Sequence, residues 1–512
     1  MITTSVILRN IGSVWLGFLV QLSITLYLTP ILILKLGAEG YGVWVLIQSF
    51  TGYYGLIDMG LRAGVTQTVT KRIASGDMST VVSYISGVLP MLAKTAMLVV
   101  LASIIMGYVL SMTLQVDPSI QQSLFPMVII QALGIGITLI SFPFASVLVG
   151  MQRYDIAEGL AVVTRLMSLV ATLSVLSYTN SIFYLSIVLL GVNLFDQLAR
   201  CFIAYLLIPD LSEIRPRSNR SELGELYRVG GWNFVVGISH QLLQRFNTLV
   251  AAYMFSVANL VPFSLAGSLA EHSGKITTLA ARVLFPAFSH LSHRGTAAQT
   301  HALFQISARI SLTVSLIAVA TGLVWFEPFM GLWLNSINDK DSVIASAKLL
   351  FIAFGLINVL NSIRSIGWQL VMGKDKVDFI GKTMLLEAVI AVFLSLILAI
   401  YLGVFGLVLG NLIAIGFSTF AICIPTFSKM IQVSNATNLR DVFLRPMVYC
   451  VVIVALLYGW SRSIAHPSNW LDLLVLGAIP TLAILILASP ILLTMRELEL
   501  VLRRLYRSLK LV

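Results

Sequence analysis

Arg245 is the residue from which the chemistry of this chain is most readily read. It lies deep in an apolar run, 229–254, among His240, Gln241, Gln244 and Asn247, with no acidic residue in that run. A guanidinium stays charged at physiological pH and presents five N–H donors in a planar fork, a geometry that pairs with phosphate oxygens. Other apolar runs carry similar polar sets. Asn193, Asp196, Gln197 and Arg200 fall on one helical face, as do Asn358, Asn361, Ser362, Ser365 and Gln369, with Arg364 beside them. Glu271, His272 and Lys275 occupy the run that follows Arg245. Near the start, Trp44, Gln48, Thr51, Gly55, Asp58 and Arg62 recur every three or four residues.

An ionised side chain at the centre of a bilayer costs about 2.5–3.5 kcal/mol, so each of these needs a partner or water. Asp58 and Arg62, and Glu271 and Lys275, are four apart and can pair on their own helices. Lys94, Arg282 and Arg309 stand close enough to a run's end to extend their heads to the membrane surface. Isolated Asn or Gln residues join helices by hydrogen bonds, but three runs with four or more polar positions exceed that need. The sequence therefore predicts a hydrated, net basic cavity for an anionic ligand, with arginine chemistry suited to a diphosphate. Its expected lining is Arg245, His240, Gln244, Arg200, Lys275, Arg364, Arg62 and Gln48. Glu271, Asp196 and Asp58, with His240, are the candidate carriers of a coupling proton or sodium ion.

The elements that must hold these residues are membrane helices. Of 512 residues, 58% are hydrophobic and 11% charged, and the mean hydropathy is +0.93. Soluble domains carry about 25% charged residues. Continuous apolar runs, rather than alternation, select helices over a barrel. The net charge of +11 does not point to nucleic acid, because the basic residues follow alternate loops. Cys201, Cys423 and Cys450 fall in or beside apolar runs and read as small hydrophobes. His290, His293 and His301 have no adjacent Cys or acid cluster and read as loop residues, so neither metal nor cofactor is expected. Walker A, G-x-S-x-G and HExxH motifs are absent, and with them the usual signs of an enzyme.

Fourteen spans are expected, an all-α polytopic architecture. Six lie at about 11–34, 41–65, 87–113, 122–150, 157–178 and 182–208. Six more lie at about 229–254, 260–286, 306–334, 343–371, 383–402 and 404–428, and a final pair at 444–464 and 470–495. The first run is retained as a span rather than removed as a signal peptide, for it is long and lacks a small-residue cleavage site. The hydrophilic interval 209–228 joins two halves of similar layout, 1–208 and 229–428, followed by 429–495 and a basic amphipathic tail, 496–512, suited to anionic lipid. With both termini cytoplasmic, one set of loops holds Arg72, Arg153, Arg215, Arg217, Lys374 and Arg440, whereas the other set holds only Lys35, Lys340, Lys348 and Arg462.

Thr29-Pro30, Leu36-Gly37, Tyr41-Gly42, Trp44, Gly52-Tyr53, Gly55-Leu56, Asp58 and Gly60 together resemble the N-terminal signature of polysaccharide-exporter flippases. These belong to the multidrug/oligosaccharidyl-lipid/polysaccharide (MOP) exporter superfamily. The resemblance implies two six-helix lobes around a central cationic cavity, plus a peripheral helix pair. It implies alternating-access movement of a polyprenyl-diphosphate-linked oligosaccharide, a surface polysaccharide repeat unit, across a bacterial inner membrane, with polysaccharide polymerase machinery as a partner. Two departures separate the chain from its superfamily relatives. Cation-coupled multidrug antiporters often carry an acid in the first helix, where this chain has Gln21 and Thr25; lipid II flippases carry cavity-facing arginines in their first helices, where this chain has only Arg62. These two families are the alternative readings.

Overall fold

The structure is a computed structural model. It describes residues 4–216, 220–282, 284, 288, 291, 296–337, 340–374, 376–464 and 467–488; within these, the side chains at 4–11, 50–61, 63, 220–230, 233, 279, 280, 282, 436–439 and 441 lie outside the description. Asp58, the tail 496–512 and the loop residues His290 and His293 are among the residues whose expected roles fall outside it.

Every described element is helical. The first unit, Met1–Val261, holds α1 (Thr4–Ala74), α2 (Met78–Thr113), α3 (Pro118–Gly150), α4 (Tyr154–Tyr178), α5 (Ile182–Leu207) and α6 (Arg220–Met254). The second, Pro262–Val512, holds most of α7 (Leu260–Arg282), then α8 (Ala297–Trp333), α9 (Lys340–Met372), α10 (Val377–Phe417), α11 (Ile424–Met430) and α12 (Asn435–Ser463), with a last helical run from Trp470 to Ala488. The helix starts follow the capping chemistry of the sequence. Asp77 accepts from the Ser79 and Thr80 amides ahead of α2, and Asp117 caps α3, with Pro118 in the first turn, where no N–H is needed. Bonds from Ser79 and Ser119 hold the two carboxyls below the usual carboxylate range. Thr296 and Gln299 close a capping box on α8.

Among the described residues, ten helical stretches are long and apolar enough to cross a membrane, where fourteen spans were expected of the whole chain. Two features of the structure bear on the difference. Expected spans 1 and 2 run as one helix, α1, through Gly37, and spans 11 and 12 as one helix, α10, through Gly403; both glycines have positive φ. The helices richest in mid-run polar residues, α6 and α7, are not among the ten.

Both merged helices still reverse direction. In α10, Ser395 Oγ donates to the Leu407 carbonyl at 2.8 Å, although twelve residues of straight helix would separate them by about 18 Å. The arms are therefore antiparallel about Gly403. In α1, Gly17 lies against Glu158 and Arg165 of α4, Gly40 against Ile120 and Ile182, and Thr70 against Gly150 at the end of α3. The chain thus ascends beside α4 to residue 40 and descends beside α3.

Packing within the first unit centres on Val65, Val69, Tyr84, Val88, Phe142, Val147 and Ala204, all buried, which join α1, α2, α3 and α5. In contrast, Met97, Leu101, Ile105, Tyr108 and Met112 form an exposed apolar face on α2, suited to lipid. In the second unit Tyr449, Ile453 and Leu457 of α12 pack on Ala320 of α8. The last run is fastened there by three polar bonds, Tyr449 Oη to the Leu485 carbonyl (2.8 Å), Trp460 Nε1 to the Leu476 carbonyl (2.7 Å) and Trp325 Nε1 to Thr481 (3.1 Å).

Candidate functional site

In the first unit the polar residues divide between α5 and α6. Arg200 reaches Asp196, one turn earlier, through Nε at 2.8 Å and Nη2 at 3.1 Å. Gln197 donates to Asp196 at 3.1 Å and to Asn193 at 3.2 Å. Three bonds then cross to α3: Ser141 donates to Gln197 at 2.6 Å, Asn193 to the Gly134 carbonyl at 2.9 Å, and Thr138 to Asn193 at 3.4 Å. Gly134 leaves room for this, since a Cβ there would stand 3.0 Å from Asn193 Nδ2. Arg200 and Asp196 are mostly buried and neutralise one another.

Arg245 is arranged differently. It sits on α6, which packs on α1, the helix that opens the chain. Gln241, Arg245 and Thr248 follow one another at helical spacing, with Gln241 and Thr248 buried and Arg245 half-buried. His240 and Gln244 are exposed on the same stretch. The Arg245 Nε is buried without a hydrogen-bond acceptor, and no carboxylate pairs with Arg245 among the described residues. A buried donor of a charged group left unmet is costly, so this guanidinium is poised for an acceptor.

The remaining expected residues are scattered. Gln48 is half-buried on the descending arm of α1. Arg62, on the same arm, is exposed, with its guanidinium 5.3 Å from the Phe142 ring centre. Its expected pairing with Asp58 falls outside the described side chains. On α7, Lys275 bonds Glu271 at 2.9 Å, with both groups partly solvated. Arg309, expected to extend to a membrane surface, is instead buried in α8.

Arg364 is enclosed in the second unit. It is 2% exposed and meets Glu387 of α10 twice, at 3.1 Å and 2.7 Å, and Ser418 donates to the same carboxylate. Ser418 opens a π-helical turn, Ser418–Cys423, whose wider winding places the hydroxyl there. The Trp368 ring lies 5.3 Å from the guanidinium. In this arrangement Arg364 is a partner of Glu387 and is not presented to solvent.

Two contacts were not named in the expected site. Arg165, halfway along α4, donates to the Gly17 carbonyl of α1 at 2.8 Å, and Glu158 lies beside it. Glu387 is an acid within the apolar run 383–402. Its partner lies 23 residues away and could not be found from spacing on one helix. No group of three or more His, Cys, Asp or Glu residues is placed to hold a metal among the described residues.

Helices that double back at glycine, with arginines and carboxylates paired in the apolar interior, define a multi-pass membrane protein. The fold is that of MOP-superfamily transporters. The structure aligns with the lipid II flippase MurJ in an inward closed conformation over 93% of this chain and 98% of that one, with TM-score 0.70 and 11% identity. It aligns with an inward-facing multidrug resistance MATE family transporter over 81% and 99%, with TM-score 0.64 and 17% identity. A MOP superfamily transporter from Pyrococcus furiosus, reported to have reversed binding-pocket polarity, gives 83% and 96%, TM-score 0.61 and 15% identity. Comparison with curated proteins gives no match. A family model described as polysaccharide biosynthesis protein matches residues 36–326, more than half of the chain, and the chain belongs to that family.

Proposed function

We propose that this protein is a flippase that moves a polyprenyl-diphosphate-linked oligosaccharide, the repeat unit of a surface polysaccharide, across a bacterial inner membrane. Both termini are cytoplasmic in this reading, and transport proceeds by alternating access between two lobes. The carrying observation is Arg245, a half-buried guanidinium with a buried, unmet Nε and no carboxylate partner among the described residues, on a long helix of a polysaccharide-biosynthesis protein. A diphosphate supplies the oxygens that such a fork accepts. His240 and Gln244, exposed on the same stretch, offer further polar contacts to the headgroup. Asp196 and Glu271 are each held by a cation, so coupling through either requires that its pair open during the cycle.

Deleting the gene tests the reading. One surface polymer should disappear while drug sensitivity stays unchanged; lost drug resistance with a normal polymer would sink it. Arg245→Ala should abolish export, Arg245→Lys should retain part of it, and both proteins should reach the membrane at normal level. Normal export by Arg245→Ala, or its degradation, would make Arg245 a structural residue.

A second reading has one observation in its favour. The lipid II flippase aligns over about a tenth more of this chain than the drug transporter, roughly the length of the last helix pair. If the deleted strain accumulates lipid II rather than a surface-glycan intermediate, that substrate replaces the proposed one.

A further inference from the structure

Gly37 and Gly42 lie in one glycine-rich turn but are glycines for different reasons. Gly37 has φ +72°, and a Cβ there would meet nothing within 4 Å. Its need is conformational. Gly42 has no such backbone, yet a Cβ on it would overlap the carbonyl oxygen of Val257 and stand 2.6 Å from the carbonyl carbon. Its need is space. The obstacle is backbone, which cannot swing aside as a side chain would.

That carbonyl is firmly held. Ser256 Oγ accepts from the Asn259 amide at 3.4 Å and from its Nδ2 at 3.1 Å, and the Leu260 N–H donates to the Val257 carbonyl. The surroundings are closed: Gly40, Val43, Leu46, Ile47, Val257, Leu260 and Val261 are all buried. Burial continues along one face of α6 through Ala252, Thr248, Gln241 and Ser239, while Tyr253, Gln244, His240 and Trp232 on the same helix are exposed. The seam is closed around Gly42, and Arg245, half-buried, stands further along α6 between its covered and exposed faces.

We infer that the Gly42–Val257 contact is a steric latch that closes the outer end of the transport path. The two backbones meet there once per cycle and must part for the substrate to leave. The outer label rests on the proposed orientation, whereas the latch rests on the contact. Adding one methyl at Gly42 disfavours the closed state, because an overpacked dry contact must separate.

The test uses protein in spheroplasts with Cys201, Cys423 and Cys450 replaced by Ala, and Thr248→Cys as reporter. A membrane-impermeant maleimide applied outside should label the reporter slowly. Adding Gly42→Ala should raise the labelling rate about tenfold, by population shift, whereas Gly191→Ala, where a Cβ meets nothing within 4 Å, should leave it unchanged. Labelling within twofold of the Gly191→Ala control overturns the latch. Failure of Gly42→Ala to accumulate in the membrane also overturns it, for the contact is then plain packing. Labelling needs no glycan, so it judges the latch alone; polymer export in the same strains judges the flippase reading.

Discussion

Arg245 and Arg364 are both arginines within long helices, and their charges are met differently. Arg364 is enclosed by its own unit, with a carboxylate accepting two of its bonds, a serine on that carboxylate and a tryptophan ring alongside. Arg245 has polar neighbours along α6 but no carboxylate partner among the described residues, while the Nε of both arginines is buried without an acceptor. One guanidinium has its charge balanced by a carboxylate in the interior that surrounds it, and the other does not. The difference teaches how to sort charges in a membrane protein: a charge balanced within the protein serves the fold, and an unbalanced one anticipates a ligand. Arg200 and Lys275 stand between these extremes. Each has an acid one turn away on its own helix, and the Lys275 pair is the more solvated.

The sharpest way to break this contrast is at Glu387. Glu387→Ala strands the Arg364 charge in the interior and should destabilise the protein by about 3–5 kcal/mol, read as a large fall in unfolding temperature in detergent. Replacing both partners, Arg364→Met with Glu387→Leu, should restore stability to within about 1 kcal/mol of the parent, because no charge remains buried. Arg245→Ala should leave the unfolding temperature where it was while export is lost. If Arg245→Ala destabilises as strongly as Glu387→Ala, the two arginines are of one kind and the contrast fails.

The α3–α5 network should respond on a middle scale. Gln197→Leu removes an acceptor from Ser141 and a donor from Asp196, both largely buried, and should cost about 1–3 kcal/mol of stability. Ser141→Ala removes the other end of the same bond. The double variant should cost clearly less than the two single costs added together, as for any pair in one contact. Additive costs would mean that the two side chains act separately.

What the sequence made legible divides along the same lines. Helix positions were readable because length and hydropathy determine them: the span expected at 343–371 is α9, Lys340–Met372, and that expected at 157–178 is α4, Tyr154–Tyr178. Gly37 and Gly403 fall between consecutive expected spans, 11–34 and 41–65, and 383–402 and 404–428, where a turn belongs. That the helical winding continues up to each one, merging two spans, depends on a single residue's φ and leaves no periodic trace. Spacing also placed Arg200 beside Asp196 and Lys275 beside Glu271, because such pairs need only one helix. Arg364 with Glu387, and Arg165 with the Gly17 carbonyl 148 residues away, depend on which helices become neighbours. Local patterning carries no record of that.

The smallest effect is expected at Lys275. Its ammonium lies 2.9 Å from Glu271, but a third of the lysine side chain and half of the glutamate remain exposed. Water already solvates both charges, so their attraction is screened and two long side chains must be ordered to realise it. Lys275→Ala should therefore shift stability by no more than about 0.5 kcal/mol, at the limit of a thermal melt. Export is the informative measurement. If the pair is only a solvated helix contact, Lys275→Ala and Glu271→Ala should both export at parental rates. If Lys275→Ala lowers export with stability unchanged, the lysine contacts the substrate. In that case Glu271→Ala should not lower export in the same way, because removing the acid frees the ammonium for the diphosphate. Equal losses in both variants would instead mark the pair itself as the working element, one that opens and closes during the cycle.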